Sequence, residues 1–312
     1  MESIRMPSVN AIIPICNWVN RIEDCLKSLS TQTYDGEFTI TVVDCGSRDG
    51  TIEMVKKYGC NILTKYNSPI EGIIGLTNFG IQNSKAELIW KVDADNIVTD
   101  NKVLIKLVEP FLQDTRINLS VPRQITNKNY NSFTNYLTLR EMVPYYSMVS
   151  QSFTKNGWNL VEDAWYGIYN STLMKKSAID RVGGWDQDIR VLNRLRKLGL
   201  SSAALVQNAC YYHDQRVDPI TYMKKMKQRI RFFGSMDSET KMKYFVKPIE
   251  STNLEESTIE NLKKEIRRAF VTGGIGSPKN IANELIYQVI TLLSLFSSPI
   301  SSLRIIKEGI YR

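Results

Sequence analysis

The sequence predicts an α/β fold: a mostly parallel central sheet flanked by helices, with a helical C-terminal extension. Three observations lead there. Short apolar runs alternate with helix-patterned segments through the first hundred residues, and polar or acidic residues follow the runs. The length of 312 residues exceeds a typical single domain yet fits one α/β domain with additions, here read as residues 1–235 plus an extension over 236–312.

Taken in order, Val9 to Ile13 is an apolar run interrupted only by Asn10 and ended by Pro14, the pattern of a strand buried on both faces. Asn20 with Glu23 three residues later makes a capping box, and Ile22, Cys25, Leu26 and Leu29 recur at helical spacing, so a helix is expected over about 21–30. The alternation continues with a strand from Thr39 to Val43, a helix from Thr51 to Tyr58 stopped by Gly59, and a strand from Asn61 to Thr64. A helix around Ile73 to Asn83 and a strand from Leu88 to Val92 complete it. Such βαβ repetition implies a parallel sheet, and ligands of such sheets bind beyond the carboxyl ends of the strands.

Composition narrows the partners. At 43% apolar and 23% charged residues the chain is ordinary globular protein without a linker-like or low-complexity tract. Forty Lys+Arg against 32 Asp+Glu give a net charge of +8, which suits a membrane surface, a phosphorylated substrate or nucleic acid. Five cysteines, odd in number and without a CxxC pair, argue against a disulfide framework and for a reducing cytoplasm. The N-terminal apolar run is too short for a signal peptide, so secretion is not expected.

The residues after the strands carry the chemistry. Pro14-Ile15-Cys16-Asn17, Asp44-Cys45-Gly46-Ser47-Arg48-Asp49 and Asp93-Ala94-Asp95-Asn96 follow three of the runs and should converge on one edge. Two carboxylates one residue apart after a buried strand suit a hard divalent cation, Mn2+ or Mg2+, shared with diphosphate oxygens. The structural alternative is a polar turn in which Asp95 or Asp100 caps the next helix.

In their order and spacing, VNAIIPICNWVNRIEDCLKSLSTQTY, VVDCGSRDGT, GLTNFGI and WKVDADN resemble the inverting family 2 glycosyltransferases of the A-type, Rossmann-like fold (GT-A), over roughly residues 8–100. The resemblance implies a nucleotide-sugar site in residues 1–100 and an acceptor half in 101–235. Pro14, Ile15, Asn17, Asp44, Cys45, Asn78, Asp93 and Ala94 would serve the nucleotide-sugar, and Asp95 the metal with Asp93 beside it. Two departures stand out. Cys45 replaces an Asp that some members use to hold uracil, and Thr77 replaces the Arg that many carry before the Asn, so that a phosphate or base contact is either missing here or supplied elsewhere, for instance by Arg48 or Lys65.

Further on, Gly183-Gly184-Trp185-Asp186-Gln187-Asp188 followed by Arg194-Leu195-Arg196-Lys197-Leu198-Gly199 resembles the family's GGF, ED and RLRKxG segment. By that likeness Asp188 is the general base that takes the acceptor hydroxyl's proton, with Asp186 as reserve and the pair Glu162-Asp163 as rival. As a purely structural residue, Asp188 would cap its helix. The single histidine, His213, follows an apolar run from Ala203 to Cys210 and corresponds to a family residue that completes the metal site. Gln228, Arg231 and Phe232 echo the QxxRW of processive members.

The apolar segment Leu285 to Phe296 is too short to span a bilayer and reads as an interfacial helix giving peripheral contact with a cytoplasmic membrane face, a homodimer contact, or a core helix. The expected partners are thus a nucleotide-diphosphate sugar and a lipid-linked, glycan or protein acceptor, without nucleic acid. A nucleotidyltransferase would need a Gly/Lys/Arg-rich loop where Pro14-Ile-Cys-Asn stands, and a polyanion-binding module leaves the strands ending in Asp unexplained.

Overall fold

The computed structural model describes residues 5–66, 72–142, 153–155, 157–164, 171–185, 188–215 and 217–225, and seven residues of 282–290. The chain divides into two compact units, Met1–Ile125 with Pro144–Asp214, and Thr126–Val143 with Gln215–Arg312.

The first unit is an α/β sandwich. Its strands are β1 (Val9–Ile15), β2 (Phe38–Asp44), β3 (Asn61–Thr64), β4 (Leu88–Lys91), β5 (Asn96–Val98), β6 (Leu119–Gln124), β7 (Phe153–Lys155), β8 (Trp158–Val161), β9 (Leu173–Lys175) and β10 (Ala203–His213). They form one sheet in the order β3-β2-β1-β4-β9-β6-β10-β8-β7, with β5 pairing on β10. The block β3-β2-β1-β4 is parallel, as the alternation of the first hundred residues predicts. Beyond it the sheet is mixed: β6 and β10 are parallel, whereas β9, β8, β7 and β5 run antiparallel to their partners.

Both faces of the sheet are covered. Every residue of β1 is buried. Val9, Ala11, Ile13 and Ile15 join one core with α1 (Ile22–Ser30), α2 (Thr51–Lys57) and α4 (Val103–Gln113), through Leu26, Leu29, Val55, Leu104 and Leu107. On the opposite face lies α3 (Gly72–Gln82). There Gly80 is required, because a Cβ would stand 2.6 Å from Ile12 Cγ2 and 2.9 Å from Val43 Cγ2. Burial on both sides explains why these strands read as largely apolar runs, with Asn10 and Lys91 as buried polar exceptions. Pro14 is tolerated inside β1 by the same alternation. Ile12 O accepts from Val92 on the β4 side and Ile15 O from Cys45 on the β2 side, so Pro14 faces the β4 side past the last β1–β4 pair.

Helix ends depart from the sequence reading in one place. The capping box of Asn20 and Glu23 is not formed: α1 starts after Arg21 without a side-chain cap, and the Trp18 carbonyl accepts from both Arg21 and Ile22. The helices α6 (Lys176–Arg181) and α7 (Asp188–Lys197) complete this unit, and α7 buries Val191, Leu192 and Leu195.

The second unit contains α5 (Ser132–Glu141), whose Phe133, Tyr136 and Leu137 cluster with Val217 and Ile290. The Val217 carbonyl accepts from Asn131 Nδ2 at 3.1 Å and Thr134 Oγ1 at 2.8 Å. Leu285, Ile286 and Val289 are exposed, while Ile290 is buried. Among the described residues no helix is long and apolar enough to cross a membrane. Most of 236–312 lies outside the described residues, as does the Gln228, Arg231 and Phe232 triplet.

Candidate active site

The edge beyond β1, β2 and β4 gathers the loops that the sequence singles out. Asn17 is the one described non-glycine residue with a left-handed backbone, φ 56°. That turn is held by the neighbouring loop: the Asn17 N–H donates to Ser47 Oγ at 2.8 Å, and Arg48 N–H donates to Asn17 Oδ1 at 2.9 Å. Trp18 N–H donates to Thr51 Oγ1 at 2.8 Å, and Val19 N–H to Asp49 Oδ2 at 3.2 Å. Asn is among the few L-residues that adopt this conformation at low cost, which accounts for its presence at the turn.

Asp44 ends β2 and is 2% exposed. Its Oδ2 accepts from Gly46 N–H at 2.8 Å and Ser47 N–H at 2.9 Å, and its Oδ1 from the Ser47 hydroxyl. The carboxylate thus shapes its own loop. Cys16 and Cys45 continue the register in which Ile15 faces Asp44, and they are joined as a disulfide with Cα atoms 5.2 Å apart. The expectation of unbridged cysteines is corrected for this pair. An odd cysteine count says nothing about which two side chains adjacent strands bring together; the three other described cysteines, Cys25, Cys60 and Cys210, are free.

The Asp93-Ala94-Asp95 turn follows β4. Ala94 is buried, and Asp93 Oδ1 pairs with Lys91 Nζ at 2.8 Å. Lys91 is 5% exposed and also lies 5.7 Å from the centre of the Trp185 ring. The sequence reading missed this lysine; the available signal is a cation inside the otherwise apolar run Leu88-Ile89-Trp90-Lys91-Val92. Asp95 reaches in the other direction, with Oδ2 3.4 Å from His213 Nε2 and both side chains largely covered. The contact follows from strand pairing, since β5 runs antiparallel to β10 with Asn96 opposite His213, and Asp214 N–H donates to Asp95 O at 2.7 Å. Burial by itself raises the Asp95 carboxyl, but the hydrogen bond and charge of His213, with smaller help from Lys91, leave it below the usual carboxylate range.

Of the three residues expected at a divalent ion, Asp95 and His213 are brought together, an ionised carboxylate beside an imidazole, whereas Asp93 is engaged by Lys91. No cluster of three metal-ligating side chains occurs among the described residues. Two protein ligands fit Mg2+ or Mn2+, which commonly take the rest of their shell from substrate phosphates and water.

Asn78 uses both ends of its carboxamide on one residue. Nδ2 donates to Trp185 O at 2.8 Å, and Trp185 N–H donates to Oδ1 at 2.6 Å. A Cβ on Gly184, φ 96°, would meet that same Oδ1 at 2.7 Å, so glycine is needed there. Arg194 Nη2 donates to the Gly184 carbonyl at 2.9 Å. The Gly183-Gly184-Trp185 turn is thereby tied to α3 and α7. Asp188 begins α7, while Asp186 lies outside the described residues. The rival Asp163 is held by a two-pronged contact from Arg196, at 2.8 and 2.7 Å, and by the Ser201 hydroxyl at 2.8 Å. These bonds lower its carboxyl to about 2, which makes it a poor proton acceptor. Its neighbour Glu162 is exposed beside Arg116.

Comparisons with known proteins bear on the family and the fold. The model of the family described as glycosyl transferase family 2 matches residues 10–183. Glycosyltransferase AglE of Haloferax volcanii is 31% identical over 29% of this chain and 31% of its own length. The poly-beta-1,6-N-acetyl-D-glucosamine synthase of Staphylococcus epidermidis is 24% identical over 60% of this chain and 44% of its own. The chain thus spans less than half the length of these relatives. Among solved structures, the mannosyltransferase PcManGT from Pyrobaculum calidifontis, in complex with GDP-Man and Mn2+, has a TM-score of 0.52 at 15% identity, covering 96% of this chain and 78% of that one. That likeness shows the GT-A fold, and with the family model covering more than half of the chain, the protein belongs to glycosyl transferase family 2.

Proposed function

We propose that this protein transfers a sugar from a nucleotide-diphosphate sugar to an acceptor hydroxyl or phosphate, with inversion at the anomeric carbon and with a divalent ion held by Asp95 and His213. The observation that carries the reading is the pairing of β5 with β10, which sets an imidazole against the carboxylate at the same sheet edge as the Asn17 and Asp44 loops. Bound there, Mn2+ or Mg2+ would neutralise charge on the departing diphosphate. The chain's own residues would do the rest. The Asn17 turn and the loop shaped by Asp44 would line the nucleotide pocket. Lys91, paired with Asp93, would hold that carboxylate in place beside the diphosphate. Asp188, at the start of α7, would take the acceptor's proton as its oxygen attacks from the face opposite the leaving group.

Isothermal titration with UDP and GDP, with and without Mn2+, tests the donor site. Nucleotide should bind markedly better with metal, and Asp95→Ala should remove the difference. At a hundred times its Kd a nucleotide should also stabilise the fold by about 2.7 kcal/mol. Metal-independent binding by the unmutated protein would reject the assignment of Asp95 and His213.

A further inference from the structure

We propose that Cys16 and Cys45 are a reversible thiol-oxidation site that sets nucleotide affinity, with a low-molecular-weight disulfide as oxidant and the corresponding thiol as reductant. The inference rests on the donor-site reading above and adds a modification to that site. Its first support is placement. Ile15 and Asp44 are the last paired residues of β1 and β2, and the next residue on each strand is a cysteine. Their Cα atoms are 5.2 Å apart, within the span that a disulfide bridges.

The second support is selectivity. Cys16 is exposed at the sheet edge, whereas Cys25 and Cys210 are buried and the Cys60 thiol is pushed up to about 11 by burial. Exchange proceeds through a thiolate that a small disulfide must reach, so accessibility favours Cys16 as the attacking sulfur. Its thiolate attacks one sulfur of the small disulfide and expels one thiol. The Cys45 thiolate then attacks Cys16 Sγ in the mixed disulfide and expels the second. Two electrons pass from the cysteine pair to the small disulfide, and the two cysteine protons end on the two released thiols.

The third support is that the bridge is not the sole joint between the two loops. The same two loops are already joined by Cys45 N–H to Ile15 O at 3.1 Å and by the bonds from Asn17, Arg48 and Trp18. Opening the bridge therefore leaves the loops in place and changes the surface they offer. When the bridge is closed the Cys45 sulfur has no hydrogen to donate, whereas the open thiol has one; the Asp44 carboxylate stays on its own loop in both forms. The bridged form is the weaker binder. A loss of about two- to ten-fold in nucleotide affinity corresponds to one hydrogen bond. By linkage, a tenfold difference would move the midpoint of the pair by about 30 mV at saturating nucleotide.

The test equilibrates the full chain with Mn2+ in buffers of reduced and oxidised glutathione, maps alkylated cysteines by mass spectrometry, and titrates UDP and GDP in each state. Expected are a Cys16–Cys45 cross-link that forms and opens with the buffer, weaker binding in the oxidised state, the same response in Cys60→Ser, and no response in Cys16→Ser. Absence of the cross-link under oxidising buffer, or equal affinity in the two mapped states, would overturn the proposal while leaving the donor site intact. A response that persists in Cys16→Ser would overturn it as well. If neither state binds nucleotide, the donor-site reading itself falls, and the switch falls with it.

Discussion

The Asn17 and Asp44 loops and the Asp95–His213 pair occupy the same edge of the sheet but are assembled in opposite ways. The loops follow adjacent parallel strands, and their polar groups satisfy one another locally, Asn17 with Ser47 and Arg48, Asp44 with Gly46 and Ser47. The pair joins residues far apart in sequence and exists because β5 lies antiparallel on β10 in one register. A cradle of saturated hydrogen bonds is pre-formed and tolerant. A pair set by a single strand register is exposed to any slip in that strand, because one residue of slip would point His213 to the opposite face.

The acceptor side should give the largest effect and sharpen this contrast, since Asp188 belongs to neither arrangement. Asp188→Asn keeps size and helix-capping ability while removing the proton acceptor. Sugar transfer should fall by about 10²–10⁴-fold, with melting temperature and Mn2+-dependent nucleotide binding retained. Near-normal transfer would discard Asp188 as the base and promote Asp186. A matching fall in stability would instead make it a helix cap.

How much of this was legible in the sequence follows the same division. Runs such as Val9 to Ile13 and Leu88 to Val92, each with one polar residue, Asn10 and Lys91, announced buried parallel strands, because burial on both faces leaves no regular polar alternation. Gly59 stopped the second helix as expected, in a left-handed conformation of φ 64°. The Asn20–Glu23 signature is not realised: α1 starts after Arg21 without a side-chain cap, on a turn closed by the Trp18 carbonyl, which residue types do not reveal. The antiparallel strands β7, β8 and β9 are three or four residues long, and no periodicity emerges from so few positions. The bridge from Cys16 to Cys45 was within reach, since both follow neighbouring strands at equal offsets, but a cysteine count alone hides it. His213 was reached through the family's pattern. Its contact with Asp95 came only with the register of β5 on β10.

Asn78 tests whether a residue with the family's signature contacts the donor or supports the turn. Its carboxamide is paired with the Trp185 backbone, so Asn78→Ala should strand a buried N–H and carbonyl at a cost of about 1–3 kcal/mol. Melting temperature should drop by several degrees while the nucleotide Kd of the folded protein changes little. The reverse outcome, weaker nucleotide binding at unchanged melting temperature, would return Asn78 to the donor site and break the distinction between cradle and support.

The smallest effect is expected at Asp163, where a solvent-screened ion pair outside the Asp95–His213 contact offers a control. Its carboxyl is lowered to about 2 by the bonds from Arg196 and Ser201, so the pairing favours folding at pH values above the unfolded carboxyl, near 4. The contribution must then fade as pH falls from about 4 through 2, when the unfolded and then the folded carboxyl take up a proton. Because the two side chains are 57% and 41% exposed, solvent screens the pair, and Asp163→Asn should lose no more than about 1 kcal/mol at neutral pH. Urea unfolding of the two proteins from pH 7 to pH 2 should show this gap closing only below pH 4. A gap that stays constant to pH 2 would mean that the substitution acts through packing. A fall in transfer out of proportion to stability would restore Asp163 as a rival to Asp188.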